Sequence, residues 1–222
     1  INVTGDSGIN FAIDSTTEDL ADVTTLDASG IVTGTVTDTG LTYKSSYETA
    51  GSATTVKGTD GVDIVWTGIS DDTVTLGTGA DTFQYRGGAD TVTGGAGVTT
   101  FDIDHGGTLA KHLTITDAKS SDKLDFVGAA QGAIADVASV GAAVTLSSGT
   151  TETLANYLDA AAGGDGGTNS VVTHFQYSGD TYVFVDKSAE VTYQDGTDSF
   201  VKLSGLVTIK GSAIANEILT IA

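Results

Sequence analysis

The chain has 222 residues, 39% of them hydrophobic, which excludes a disordered polyelectrolyte and supplies enough apolar side chain for a sizeable core. There are 30 Gly and only 9 Lys plus Arg, and Pro, Cys and Met are absent, so disulfides, thiolate nucleophiles and cysteine-ligated zinc are excluded. A formal net charge of -20 works against nucleic acid and anionic membrane surfaces and favours soluble cations, among which calcium is the common hard ion that takes oxygen ligands.

The chain begins INVTGDSG, with neither a basic n-region nor an apolar h-region, and no apolar run is long enough to span a bilayer. Starting at Ile1 and lacking Met, it is expected to be a fragment or a processed product. Thr and Val punctuated by Gly favour β structure. The first such stretch, VTTLDASGIVTGTVT (23 to 37), alternates apolar and small polar residues as a strand array does, and residues 1–57 are read as that array.

From residue 58 the sequence repeats every nine residues: GTDGVDIVW, TGISDDTVT, LGTGADTFQ, YRGGADTVT and GGAGVTTFD, ending at residue 102. The sixth position is Asp63, Asp72, Asp81, Asp90 and then Thr99. The eighth is Val65, Val74, Phe83, Val92 and Phe101. On a strand the apolar eighth position points inward, and the six preceding residues turn the chain back, with glycine supplying positive φ where it is needed. Two nonapeptides then make one coil, and the register extends back to Val56.

Coils stack at the interstrand distance of about 4.8 Å. Asp63 then faces Asp81 and Asp72 faces Asp90, while Asp81 next meets Thr99, where a cation site is weaker or built on carbonyls. Two readings of the aspartates stand side by side: loop-closing side chains bonded to backbone, or ligands of a cation. In the second, carbonyls left accessible by Gly61, Gly77, Gly79, Gly88, Gly95 and Gly97 join Asp63, Asp72, Asp81 and Asp90 as metal ligands.

Downstream, AAQGAIADVASV (129 to 140) and TETLANYLDAAAG (151 to 163) are predicted helices, the second with Thr151 or Thr153 as N-cap and Gly163 as its stop. Residues 171 to 186 predict a hairpin about Ser178 to Asp180, and 191 to 206 a second one. The acidic cluster Asp186, Glu190, Asp195 and Asp198 reads as exposed hairpin, so Asp198→Ala is expected to change little. Asp81→Ala, by contrast, damages two stacked tiers. Trp66 points outward and is expected to pack against an adjoining element. His105, His112 and His174 are scattered without an HExxH pair, and neither a GxSxG elbow nor a P-loop occurs. No catalytic constellation stands above background, and the chain is read as non-enzymatic.

The nonapeptides resemble the RTX calcium-binding repeat GGxGxDxUx, which folds as a parallel β-roll. LGTGADTFQ and YRGGADTVT match it well, TGISDDTVT has Ser70 in place of a glycine, and GGAGVTTFD lacks the aspartate. LTITDAKSSDKLDFVG (113 to 128) resembles the segment that closes the roll in serralysin-like domains. LDASGIVTGTVT ahead of the repeats, and FQYSGDTYVFVD with TDSFVKLSGL behind them, resemble RTX-type bacterial surface-layer proteins. The terminal NEILTIA, with Glu217 before its apolar end, is similar to type I export signals.

The resemblance implies an all-β protein: a right-handed parallel β-roll or β-helix with calcium-binding repeats over 58–127, then a β-rich C-terminal region with one or two short helices over 128–222. It implies calcium as the bound ion, self-association into a surface lattice on the bacterial cell exterior, and attachment to a surface polysaccharide through a region outside this chain. Two alternatives are the calcium-binding export module of a secreted protease or lipase, and an adhesin or ice-binding module. For the last, a regular threonine ladder should mark the outer face, and Thr73, Thr82, Thr91 and Thr100 recur at the seventh position.

Overall fold

A computed structural model describes residues 1–12, 23–45, 52–103, 106–126, 134, 140–164 and 171–222. Successive strands alternate between two sheets up to residue 125, as half-turn repeats require. The first sheet receives β1 (Asn2–Gly5), β3 (Thr25–Ile31), β5 (Thr55–Lys57), β7 (Thr73–Gly77), β9 (Thr91–Gly95) and β11 (Leu113–Ile115), all parallel. The second receives β2 (Ile9–Ala12), β4 (Thr39–Lys44), β6 (Val62–Trp66), β8 (Thr82–Tyr85), β10 (Thr100–Ile103) and β12 (Lys123–Asp125), also parallel.

In the repeats the register advances eighteen residues per coil. Val56 pairs with Val74 and Val74 with Val92 in one sheet, and Val65 with Phe83 and Phe83 with Phe101 in the other. All six side chains are at most 1% exposed and form the core between the sheets. The period-two pattern thus places each eighth position inward, and Val56 confirms that the coil starts before residue 58. After β10 the coil lengthens: Val92 pairs with Ile115 and Phe101 with Leu124.

The C-terminal strands extend the same two sheets. Beyond β11, the first sheet continues with β15 (Ser199–Leu203) parallel to it, then β14 (Asp180–Asp186) and β13 (Val171–Tyr177), each antiparallel to its neighbour. The second sheet gains the hairpin β16 (Ala213–Ala215) and β17 (Ile218–Thr220), with β17 antiparallel to β12. The β13–β14 turn is Ser178-Gly179, both at positive φ (54° and 88°), which suits the twist of a two-residue hairpin. Glu217 sits with Asn216 in the equivalent turn of β16–β17, at φ 66° and 51°.

The helix α1 (Leu154–Gly163) covers the outer face of β13 and β14. Its first turn is capped by Thr153, whose Oγ1 accepts the Asn156 amide at 3.2 Å. Leu158, Ala161 and Ala162 pack there on Phe175, Tyr182, Phe184 and Phe200, while Val183, Val185 and Val201 face the roll core. These strands are apolar on both faces because both are covered. The helix expected over 129 to 140 lies outside the described residues, apart from Ile134 and Val140.

Two expectations need correction. Residues 191 to 206 do not form a hairpin: only Ser199–Leu203 is a strand, and its antiparallel partner is β14. Nor is the acidic cluster exposed throughout: Glu190 and Asp195 are, but Asp186 is only 1% exposed, and Asp198 is the most enclosed of the four. It is fully buried, accepting the Lys187 amide at 2.9 Å and the Gln194 amide at 2.7 Å, and these bonds draw the QDGT turn into a closed loop. Its replacement is therefore not a silent change, and exposed Glu190 is the proper control. Among the described residues, no helix is long and apolar enough to cross a membrane.

Candidate metal-binding turn columns

The turns between sheets stack into two columns, one on each edge of the roll. Column one holds turns 58–63, 76–81 and 94–99, followed by 117–122; column two holds 67–72 and 85–90. The register brings together the pairs read from the sequence. The Asp63 amide donates to Asp81 Oδ1 at 2.8 Å, and the Asp72 amide to Asp90 Oδ1 at 2.9 Å. The same bond continues outward at each end: Leu41 N to Asp63 Oδ1 at 2.6 Å, Thr54 N to Asp72 Oδ1 at 2.7 Å, and Thr99 N to Asp122 Oδ1 at 3.0 Å. Each aspartate therefore closes the turn of the preceding tier, which is the loop-closing geometry carried across coils.

The remaining carboxylate oxygens differ in what they find. Asp63 is held by its own turn, with the Thr59 amide at 2.7 Å and the Thr59 hydroxyl at 2.8 Å. Asp90 Oδ2 accepts the Thr67 hydroxyl at 3.1 Å. At the position corresponding to Thr59, the Asp81 turn has Gly77, which has no hydroxyl, and Asp81 Oδ2 is buried without a hydrogen-bond partner. Such an oxygen costs far more ionised than neutral.

Burial sets the electrostatics. Asp63, Asp72, Asp81 and Asp90 are all 3% exposed or less. Loss of water pushes the Asp72 carboxyl up to about 6, Asp81 to about 7 and Asp90 to about 8. The neighbouring tier adds repulsion, from Asp63 on Asp81 and from Asp72 on Asp90. Asp63 is also raised by burial, against the three donors that hold its charge.

The glycines make the close stacking possible. A Cβ on Gly79 would overlap the Gly61 carbonyl oxygen and lie 2.7 Å from Asp81 Oδ1; one on Gly88 would overlap the Ser70 carbonyl and lie 2.9 Å from Asp90 Oδ1. Gly97 repeats the arrangement over Gly79, whereas Gly77 and Gly95 pair with each other at strand ends, the Gly77 carbonyl accepting the Ala96 amide at 2.8 Å. Carbonyl oxygens thus line the turns beside the aspartates. Among the described residues no three His, Cys, Asp or Glu side chains form a metal-ligand cluster. A cation in these columns would be held by one or two carboxylates and by carbonyls, a donor set that suits calcium. The orphaned oxygen of Asp81 fits such an ion.

Asp122 and Asp117 were not among the ligands read from the sequence. Asp122 stands where the next repeat aspartate would be, and Asp122-Lys123-Leu124 keeps the pattern of aspartate followed two residues on by an inward apolar residue. Five extra residues in the coil hide it from a strict nine-residue frame. Asp117 accepts the Gly94 and Gly95 amides, both at 2.7 Å, and so covers the last glycine turn.

The other singled-out residues lie apart from the columns. Trp66 is half-buried on the outer face of the second sheet, with Lys44 Nζ 3.6 Å and Arg86 Cζ 4.9 Å from its ring centre. His105 lies outside the described residues, the His112 ring packs tilted at 39° with its centre 4.9 Å from that of Phe200, and His174 is buried. On the first sheet Thr25, Thr55, Thr73, Thr91 and Thr114 pair strand to strand in one outer row. On the second, Thr82 and Thr100 are flanked by Ile64 and Lys123. No protein-family model matches the chain, and no curated protein matches it.

Proposed function

We propose that the chain is a calcium-dependent structural protein that folds outside the bacterial cell and self-assembles into a surface layer. The observation that carries the calcium step is the stacked, buried aspartate ladder with the partnerless Asp81 Oδ2 at its centre. In a low-calcium cytoplasm these carboxylates and a net charge of -20 oppose folding and keep the chain extended for export. Outside, calcium compensates the ladder, the glycine turns close and the coils stack. With dissociation constants of about 0.1–1 mM and roughly 1 mM free ion, each site contributes about 0.4–1.4 kcal/mol. Two or three such sites are a meaningful share of a net stability of about 5–15 kcal/mol.

Circular dichroism of metal-free protein titrated with calcium tests the first step: a cooperative gain of β structure is expected, and a flat titration overturns it. Electron microscopy of the calcium-loaded chain tests the second, with ordered sheets expected; monomers at high concentration favour the export-module alternative.

The five-threonine row favours one further reading, an adhesin or ice-binding module, because it runs through five strands of one sheet and extends outside the nonapeptides. Thermal hysteresis of the calcium-loaded protein decides it. A freezing-point gap abolished by Thr73→Tyr supports that reading, and no gap removes it.

A further inference from the structure

The fourth tier of column one differs chemically from the three beneath it. The tiers read Asp63, Asp81, Thr99 and Asp122, and among the described residues Asp122 is the one ladder aspartate that has an ion pair. Lys119 Nζ lies 3.3 Å from Asp122 Oδ1 and 3.4 Å from Oδ2, so the ammonium straddles both carboxylate oxygens. The Lys119 amide donates to Oδ2 at 3.0 Å, and the Thr99 amide to Oδ1 at 3.0 Å. The Asp122 side chain is 1% exposed, whereas the Lys119 side chain is 36% exposed and reaches it from the rim.

Local sequence produces this arrangement. Lys119 to Asp122 form a tight turn, closed by the Asp122 amide on the Lys119 carbonyl at 3.1 Å and by Ser121 at φ 77°. That turn lies in a half-coil of the ordinary nine-residue length, Thr114 to Lys123, because the extra residues of this coil fall earlier, between β10 and β11. It replaces a glycine turn, whose carbonyls could serve a metal, with a lysine whose ammonium folds back onto the aspartate. Thr99 fits the same logic from below. It brings no second charge to the tier, and its hydroxyl donates to the Gly94 carbonyl at 3.2 Å. One carboxylate therefore meets one ammonium. The ammonium also acts on the Asp81 carboxyl, two tiers down, opposing the effect of burial there.

We propose that Lys119 is a built-in counter-cation occupying the place of calcium at the last tier of column one, so that this tier closes without metal and the column takes one ion fewer. The inference rests on the calcium reading above. It divides the molecule: coils whose ladder aspartates face only neutral donors depend on calcium, and the tier that abuts β12 and the C-terminal hairpin does not. An ordinary surface ion pair would make a small contribution that calcium leaves unchanged.

Calcium stoichiometry of the full chain, measured by equilibrium dialysis and by isothermal titration, tests this with Lys119→Gln and Lys119→Arg. Lys119→Gln is expected to bind one more calcium ion per chain than the wild type and to need more calcium to fold. Lys119→Arg, which keeps the charge, should match the wild type in both. Equal stoichiometry for Lys119→Gln and a calcium-binding wild type overturns the inference and leaves the calcium reading intact. A Lys119→Gln chain that folds only at a higher calcium concentration than the wild type, with one more ion bound, supports it, and one unfolded even in saturating calcium overturns it, because no ion then replaces the ammonium. A wild type that binds no calcium overturns the calcium reading, and this inference with it.

Discussion

Metal-free protein is expected to lose stability as the pH rises, and calcium is expected to abolish that loss. The ladder carboxyls of Asp72, Asp81 and Asp90 titrate at about 6, 7 and 8 in the folded chain, against an ordinary value of 3.8. Their folded pKa is raised, so the folded state binds more protons than the unfolded state in between. Stability is then fully present below pH 3.8 and falls as the pH climbs through 6 to 8. One unit corresponds to about 1.4 kcal/mol, so three such groups move the balance by several kcal/mol, a large part of a typical net stability. Calcium competes with the protons and stabilises the ionised ladder, so its benefit grows with pH. Urea midpoints from pH 5 to about 8.5, in metal-stripped buffer and in calcium, with enough stabilising osmolyte in both to fold the metal-free chain, measure both arms. A metal-free midpoint that rises with pH sinks the prediction.

The direction of this dependence connects fold and function. Most proteins ionise their paired carboxylates on folding and are destabilised by acid. Here the roll buries carboxylates against backbone amides, and its own described lysines leave Asp63, Asp72, Asp81 and Asp90 without an ion pair. At neutral pH the ionised ladder would therefore be completed by a cation from outside, as the proposed function holds. Under the proposed function, a divalent cation present outside the cell and scarce inside would meet that requirement, and folding would follow export.

The roll was legible in the sequence because its period is local. Glycine, aspartate and an apolar residue at fixed offsets within nine positions determine turn, tier and core, and Val56 through Phe101 fall where that spacing puts them. The helix at 154–163 was legible for the same reason, from its cap and apolar stripe. Sheet order beyond β11 was not, because Leu113 pairs with Val201 across most of the C-terminal region, and nothing local marks such a pairing. Asp198 was misread because acidic turn sequence looks solvent-facing; that it closes its loop by accepting the Lys187 and Gln194 amides depends on where the chain returns. Asp122 was hidden by the five-residue extension, although its aspartate-x-apolar pattern was intact. The partnerless oxygen of Asp81 was half legible: Gly77 in place of Thr59 removes a donor, but its burial needed the stacked coils.

That oxygen gives the sharpest test, Asp81→Asn, whose effect is expected to change sign with calcium. In metal-free buffer near the pH where Asp90 titrates, about 8, the wild type carries an ionised or costly carboxyl at Asp81. The amide keeps an acceptor for the Asp63 amide and removes the charge, so the variant should be more stable than the wild type by about 1–3 kcal/mol. In saturating calcium the same change deletes a charged ligand and should weaken the chain by a comparable amount. Asp63→Asn makes the contrast, because both oxygens of Asp63 already accept hydrogen bonds, and an amide nitrogen cannot accept the one from the Thr59 amide. It should destabilise in both conditions, and Glu190→Gln should be silent in both. Denaturant melts of the three variants with and without calcium, in the same stabilising osmolyte, measure this directly. If Asp81→Asn destabilises equally with and without calcium, Asp81 is a loop-closing residue alone, and the cation belongs elsewhere or nowhere in column one.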